Sequence, residues 1–140
     1  MKQKEGKYTR LTMHGDILEA RYKAALQVDR DAAVEIVQER LDFTENRSVP
    51  VLLLDSGLVK MDKRARDYMS SEEGIRGLNA IAIILSSVVN SMLLNFLLKI
   101  SRPGLPVRVF RDRDQAMEWL KTFVDEEESN KWRSAPGEDQ

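Results

Sequence analysis

The hydrophobic pattern begins with two short runs that predict a β-hairpin. Over residues 7–13 apolar side chains alternate with polar ones, and Ile17–Tyr22 forms a second short run. The His-Gly-Asp sequence at residues 14–16 separates the two runs. Because a glycine-containing turn between such runs is typical of a hairpin, we expect the chain to start with two antiparallel strands.

Helical and strand-like patterns alternate after this hairpin. Asp29 is a plausible N-cap, and apolar residues at helical spacing predict a helix from about Arg30 to Phe43. Continuous apolar runs at residues 49–55 and 80–85 are typical of strands that are covered on both faces. Further helices are predicted over 62–69, with a continuation over 72–78, over 88–100 and over about 112–124, and a further strand is predicted at 106–110.

This alternation predicts an α/β fold. We expect a mixed, mostly parallel sheet of about five strands with an N-terminal antiparallel hairpin, right-handed crossovers and about four helices. A chain of 140 residues fits one domain. We assign residues 1–6 to an N-terminal extension, 7–125 to the α/β domain, and 126–140 to a flexible charged tail whose composition is typical of disordered segments.

Residues 80–100 form the most apolar stretch, and at about 20 residues it has the length of a membrane span. Ser86, Asn90 and Lys99 are among the polar residues that interrupt it, so a strand followed by a helix is the better interpretation. Leu94 and Leu98 add a second apolar stripe to that helix. The stripe is compatible with a helix buried from two sides, with a dimer or partner surface, or with the wall of an apolar ligand pocket.

Composition and charge exclude several classes of function. The chain has no cysteine, which excludes disulfides, thiolate nucleophiles and cysteine-based zinc sites. With 22 Lys and Arg against 23 Asp and Glu, it lacks the basic excess of a typical duplex-binding domain. No apolar segment follows the charged N-terminus, so we expect no signal peptide. We therefore expect a cytoplasmic protein with no membrane span and no nucleic-acid partner.

The sequence shows no pattern of catalytic, cofactor-binding or metal-binding residues. His14 is the single histidine, and the glycines form no phosphate-binding loop. We expect an exposed turn histidine, no enzyme activity, no cofactor and no metal site. The segment 55–64 is more informative, because it follows a buried strand and opens a helix. Several lysine and arginine residues lie within it or directly after it. It fits either an anion-binding edge or an ordinary solvated helix face.

These features resemble the STAS domain, which is typified by the bacterial anti-sigma-factor antagonists such as SpoIIAA, and its Sec14-like relatives. The resemblance covers roughly residues 8–124. It rests on the strand that ends at Asp55, on the Met61-Asp62 pair that opens a helix, and on the closing pattern of residues 106–120. It implies a cytoplasmic, non-enzymatic interaction or regulatory module of a bacterium.

One position departs from the pattern of these antagonists, which carry a phosphorylatable serine directly after the Met-Asp pair. Lys63 occupies that position here and Arg64 follows it, so the resemblance implies a module without the phosphoserine switch. The expected partner is another protein or a second copy of the chain. The alternative is a small apolar ligand, because Sec14-like relatives bind lipids. The candidate binding residues are Ser56, Asp62, Lys63, Arg64 and Arg66.

Overall fold

A computed structural model of the protein describes residues 2–84 and 91–124. The strands are β1 (Gln3–Glu5), β2 (Thr9–His14), β3 (Ile17–Tyr22), β4 (Leu26–Val28), β5 (Val49–Asp55), β6 (Val59–Met61), β7 (Leu78–Ile84) and β8 (Val107–Val109). The helices are α1 (Arg30–Phe43), α2 (Lys63–Met69), α3 (Glu72–Ile75), α4 (Ser91–Ile100) and α5 (Arg113–Lys121). The tail assigned to 126–140, and the start of the helix expected from residue 88, lie outside the described residues.

The main sheet confirms the predicted fold class. Its strand order is β1-β2-β3-β5-β7-β8. β1, β2 and β3 are antiparallel, and the pairs from β3 to β8 are parallel. β4 and β6 form a separate two-stranded parallel sheet that the hydrophobic pattern did not reveal. β1 was also not predicted, because its three residues are all exposed and carry no apolar signal.

Two layers of helices cover the sheet. On one face, Leu53 of β5 and Ile81 of β7 belong to the same hydrophobic cluster as buried residues from the first half of α1 and from α4. On the other face, Leu52 and Leu54 of β5 cluster with Ala116 and Leu120 of α5. Successive residues of β5 therefore point into opposite cores. This explains why the strand appears in the sequence as an unbroken apolar run.

The small β4–β6 sheet places the starts of α1 and α2 side by side. Val28 pairs with Met61 in this sheet, and each of these residues is followed directly by an N-cap. Asp29 Oδ1 accepts a hydrogen bond of 2.8 Å from the Ala32 amide, and Asp62 Oδ1 accepts one of 2.8 Å from the Ala65 amide. A cap of this kind stabilises a helix by about 1 kcal/mol.

The structure corrects one detail of the predicted helices and excludes one of the alternatives left open. The continuation expected over 72–78 is the short helix α3, which ends at Ile75. Gly77 then adopts a φ of 82°, which ordinary side chains avoid, and β7 begins at Leu78. Of the three alternatives for the apolar helix after β7, burial from two sides is excluded, since Met92 and Leu98 are 49% and 45% exposed. Among the described residues, no helix is both long and apolar enough to cross a membrane.

Candidate functional site

The predicted binding residues lie where β5 leaves the sheet and at the start of α2. Ser56 is exposed and donates its backbone N–H to the Tyr22 carbonyl at 3.1 Å. Asp62 uses its carboxylate to cap α2. Arg66 donates from Nη1 to the Met61 carbonyl at 2.6 Å, and Arg64 is exposed. The cap and the Arg66 hydrogen bond hold the first turn of α2 against β6.

Lys63 extends into solvent from this first turn. Its Nζ lies 2.8 Å from Asp67 Oδ2, one helical turn away, and the two side chains are 80% and 64% exposed. An ion pair this exposed contributes less than about 1 kcal/mol, because water screens both charges and both side chains lose rotamer freedom. The Lys63 ammonium therefore exchanges its carboxylate partner at little energetic cost.

A surface groove, here called the α2–α4 groove, brings two of the predicted residues together with residues that the sequence did not reveal. Its volume is about 750 Å³. The cationic side chains that line it are Lys63, Arg66, Lys99 and Arg102, and the single carboxylate is that of Asp67. Ser70, Met92 and Asn95 complete the walls, and the largely buried Phe96 and Ile100 form an apolar floor. Ser56 and Arg64 do not line it.

Lys99 and Arg102 are the cationic lining residues that the sequence did not reveal. A weak signal was present, because Met92, Asn95 and Lys99 recur at the three- and four-residue spacing of one helix face. Nothing in the sequence, however, indicates that this face of α4 lies beside α2. Asp62 lines a neighbouring cleft of about 460 Å³ that also contains Met92.

A second concave feature, here called the sheet–helix cavity, lies between the first face of the sheet and α1 and α4. Its volume is about 70 Å³. Most of its lining is apolar and comes from β2, β3, β5, β7, α1 and α4, with Phe96, Leu97 and Ile100 as the contribution of α4. The predicted helix therefore forms one wall of this cavity, although Leu94 and Leu98 of its second apolar stripe do not line it.

Three polar side chains interrupt this apolar lining. Thr9 is 3% exposed, and its Oγ1 is buried with no hydrogen-bond partner among the described residues. Arg40 is also buried and donates to the carbonyls of Arg76 and Gly74, at 2.6 and 2.8 Å. Burial lowers the pKa of the Arg40 guanidinium to about 10. Tyr22 is the third, and burial raises the pKa of its phenol to about 12, although Arg40 opposes the shift.

The raised pKa of Tyr22 predicts a loss of stability at alkaline pH. A phenol with an unfolded pKa near 10 and a folded pKa of about 12 favours the fold below pH 10, and this contribution is lost as the pH rises to 12. At about 1.4 kcal/mol per pKa unit, the difference between a pKa of 10 and one of about 12 corresponds to a total loss on the order of 3 kcal/mol. We expect Tyr22→Phe to lose less unfolding free energy than the wild type between pH 8 and about pH 11 in urea titrations.

The Tyr22→Phe comparison is needed because the lowered pKa of Arg40 acts in the opposite direction over the same pH range. Tyr68→Phe is the control, since Tyr68 is only half-buried and should contribute less to the alkaline loss. Equal losses in the wild type and in Tyr22→Phe would contradict the assignment.

The single histidine is not an exposed turn residue. His14 ends β2, and its half-buried Nε2 lies 2.8 Å from Glu19 Oε1, which also accepts a hydrogen bond of 2.6 Å from Arg113 Nη2. Burial opposes ionisation of Glu19, but the Arg113 and His14 contacts outweigh it and lower the pKa of the carboxyl. The cluster joins β2 and β3 to the start of α5. Over residues 2–84 and 91–124, no three His, Asp or Glu side chains group together as metal ligands would.

Comparisons with known proteins identify the fold and a family. A family model described as a domain of unknown function, DUF7793, matches residues 11–124. The solved structure of an uncharacterised DUF3478 protein with a SpoIIAA-like fold, from Shewanella loihica PV-4, is 15% identical and has a TM-score of 0.51. The match covers 80% of this chain and 91% of that chain. No curated protein matches the chain. The structural match confirms the SpoIIAA-like fold predicted from the sequence.

Proposed function

The chain belongs to the DUF7793 family, and from its SpoIIAA-like fold and its surface we propose that it is a non-enzymatic interaction module that binds a protein partner. The observation that carries the proposal is the α2–α4 groove. Four cations and one carboxylate surround an apolar floor there, so the groove is positively charged although the whole chain carries a net charge of −1.

The chemistry of the groove defines the partner that would fit it. Lys63, Lys99 and Arg102 offer charge to an acidic segment, and opposite charges on two surfaces steer their association. Phe96 and Ile100 offer an apolar floor for a side chain from the same segment. Met92, which is 49% exposed, is a flexible thioether side chain that adapts to partners of different shape. We therefore propose an acidic protein segment that contains at least one large apolar residue.

Lys63 gives this module a positive charge at the position where the anti-sigma-factor antagonists that it resembles carry a phosphorylatable serine. A lysine keeps its ammonium at physiological pH. In this proposal, binding is therefore controlled by the partner and by ionic strength, with no phosphorylation at residue 63. Asp62 contributes as the cap that holds this turn, and Arg66 as both an anchor and a groove cation. We propose that the module acts in the cytoplasm of a bacterium.

The double variant Lys63→Glu with Lys99→Glu tests the proposal. Both side chains are exposed, and neither contributes to a buried hydrogen bond, so we expect the fold to be unchanged. The probe is a fluorescein-labelled 12-residue peptide of alternating glutamate and leucine. Reversal of two cations should weaken its binding about 10- to 100-fold at low salt, since each contact contributes roughly 0.5–1 kcal/mol and reversal adds repulsion. The measurement is fluorescence anisotropy.

A matched control is Arg111→Glu with Lys121→Glu, which makes the same change in net charge next to and within α5, on the other side of the sheet. This control should bind the peptide like the wild type. Equal weakening by both double variants would show that only net charge matters and would contradict peptide binding at the groove.

Sedimentation of the wild type and of both double variants tests self-association. A dimer lost only in the Lys63/Lys99 variant would assign the groove to a second copy instead of an acidic partner.

Binding of a small ligand is a second candidate function, and the sheet–helix cavity is the observation that favours it. The cavity lies against α4 on the side of Phe96, Leu97 and Ile100, whereas Leu94 and Leu98 of the second apolar stripe do not line it. At about 70 Å³ it is too small for a whole lipid acyl chain and fits a compact molecule. Phe96 and Ile100 line both the cavity and the groove, but Lys63 and Lys99 line only the groove, so variants of these two lysines separate the two functions.

A further inference from the structure

The sheet–helix cavity contains polar groups that an apolar ligand would leave unsatisfied. Thr9 Oγ1 lines the cavity, is buried and has no hydrogen-bond partner among the described residues. Burial of a hydroxyl is unfavourable unless it makes a hydrogen bond. Valine has the same shape as threonine and would fill a purely structural core position equally well, without a hydroxyl that needs a partner. The hydroxyl therefore indicates a polar partner inside the cavity.

Arg40 supplies a positive charge to the same cavity. Both of its side-chain hydrogen bonds are to neutral backbone carbonyls, those of Gly74 and Arg76. Across the described ranges, no carboxylate lies within ion-pair distance of its guanidinium. A guanidinium has five N–H donors, and these two bonds use two of them. A buried cation without a counter-ion is unfavourable, and a planar guanidinium is well suited to a carboxylate.

The size of the cavity limits what can reach these groups. One water needs about 10–15 Å³ of such space, so a volume of about 70 Å³ holds roughly five to seven non-hydrogen atoms. Apart from Thr9, Tyr22 and Arg40, the lining is almost entirely apolar. The occupant therefore needs one small anionic or acceptor group and a short, branched or cyclic apolar body.

From these observations, and on the basis of the small-ligand function proposed above, we infer that the sheet–helix cavity binds a short-chain monocarboxylate of about four or five carbons. Its carboxylate lies beside the Arg40 guanidinium and accepts the Thr9 hydroxyl hydrogen. Its hydrocarbon part packs against Phe96, Leu97 and Ile100 of α4. The ligand thus neutralises a buried cation and satisfies a buried hydroxyl in one binding event.

The experiment uses isovalerate as the probe and the full chain with ¹³C-labelled methyl groups. Titration followed by two-dimensional NMR should give saturable shifts of the methyl groups that line the cavity, among them Ile36, Val51, Leu53 and Ile81. The neutral alcohol of the same shape, 3-methylbutan-1-ol, should bind at least about tenfold more weakly, because it brings no charge to Arg40.

Thr9→Val is the variant that separates a binding role from a structural one. It should weaken isovalerate binding about three- to tenfold, the contribution of one hydrogen bond, while raising the urea midpoint of the ligand-free protein. A residue with a purely structural role would not change stability and affinity in opposite directions. Thr12→Val is the control, since Thr12 is buried on the same strand but does not line the cavity, and isovalerate should bind it like the wild type.

The outcomes separate this inference from the functions on which it rests. No saturable shift up to about 20 mM isovalerate, which corresponds to a binding free energy weaker than roughly 2–3 kcal/mol, overturns it. Equal binding of the acid and the alcohol overturns the carboxylate while leaving the small-ligand function. If neither probe shifts the methyl signals, both the carboxylate inference and the small-ligand function are overturned. The same holds if only water occupies the cavity. The Lys63→Glu/Lys99→Glu variant should bind isovalerate like the wild type. A negative result for peptide binding at the α2–α4 groove therefore does not affect this test.

Discussion

Gly74→Ala should destabilise the protein by about 3 kcal/mol or more, because the added methyl group would collide with backbone. A Cβ at this position would lie 2.6 Å from the Met69 carbonyl carbon and even closer to the carbonyl oxygens of Tyr68 and Met69. These atoms belong to α2 and cannot rotate away as a flexible side chain would. The short helix α3 would have to move as a unit to relieve the contact.

Movement of α3 would also disturb the groups that line the cavity. The Gly74 carbonyl accepts a hydrogen bond from Arg40 Nη2, and the Gly74 amide donates to Ser71 Oγ at 3.2 Å. We therefore expect Gly74→Ala to lower the urea midpoint and to weaken isovalerate binding together. Gly104→Ala is the matched control, since a Cβ there meets no atom within 4 Å and should change the unfolding free energy by less than about 0.5 kcal/mol. Wild-type stability of Gly74→Ala would mean that α2 and α3 are packed less closely than described.

Leu120→Ala should cost about 3–5 kcal/mol of unfolding free energy, because it opens a cavity beneath the helix that covers the second face of the sheet. Leu120 is fully buried and clusters with Leu52 and Leu54 of β5 and with Ala80 and Ala82 of β7. The two alanines on β7 leave room for α5 to approach the sheet closely.

The effect of Leu120→Ala is to be measured by urea unfolding followed by circular dichroism. Met117→Ala is the control on the same helix, because Met117 is only half-buried and should cost less than half as much. A small effect of Leu120→Ala, similar to that of Met117→Ala, would contradict the packing of α5 on this face. Because the α2–α4 groove lies on the opposite side of the sheet, variants at its exposed lysines should be additive in stability with Leu120→Ala.

The hydrophobic pattern was sufficient for the elements that span the core. The apolar runs at β5 and β7 identify central strands because both of their faces are buried. The periodic residues of α1 and α5, each preceded by a capping aspartate, identify surface helices. β4 and β6 were missed, since three-residue strands have no measurable periodicity and are stable only because they pair with each other.

The binding residues were only partly predictable for a related reason. Lys63 and Arg66 follow a buried strand, where local sequence indicates a functional edge of the sheet. Lys99 and Arg102 join them only because α2 and α4 lie on the same face of the sheet. Thr9 and Tyr22 are cross-strand partners in the β2–β3 hairpin, and Arg40 joins them at the cavity only because α1 packs on that face of the sheet. No local pattern marks such a convergence.

The sequence by itself determined the α/β class, the hairpin, the buried central strands, and the resemblance to STAS domains with Lys63 in the serine position. These features depend on local periodicity, caps and turns, which act over a few residues. The tertiary structure alone decided the groove, the cavity and the environments of Arg40 and His14. Those features arise from contacts between distant segments, and the order of strands in the sheet, which controls these contacts, is set by the packing of the whole chain.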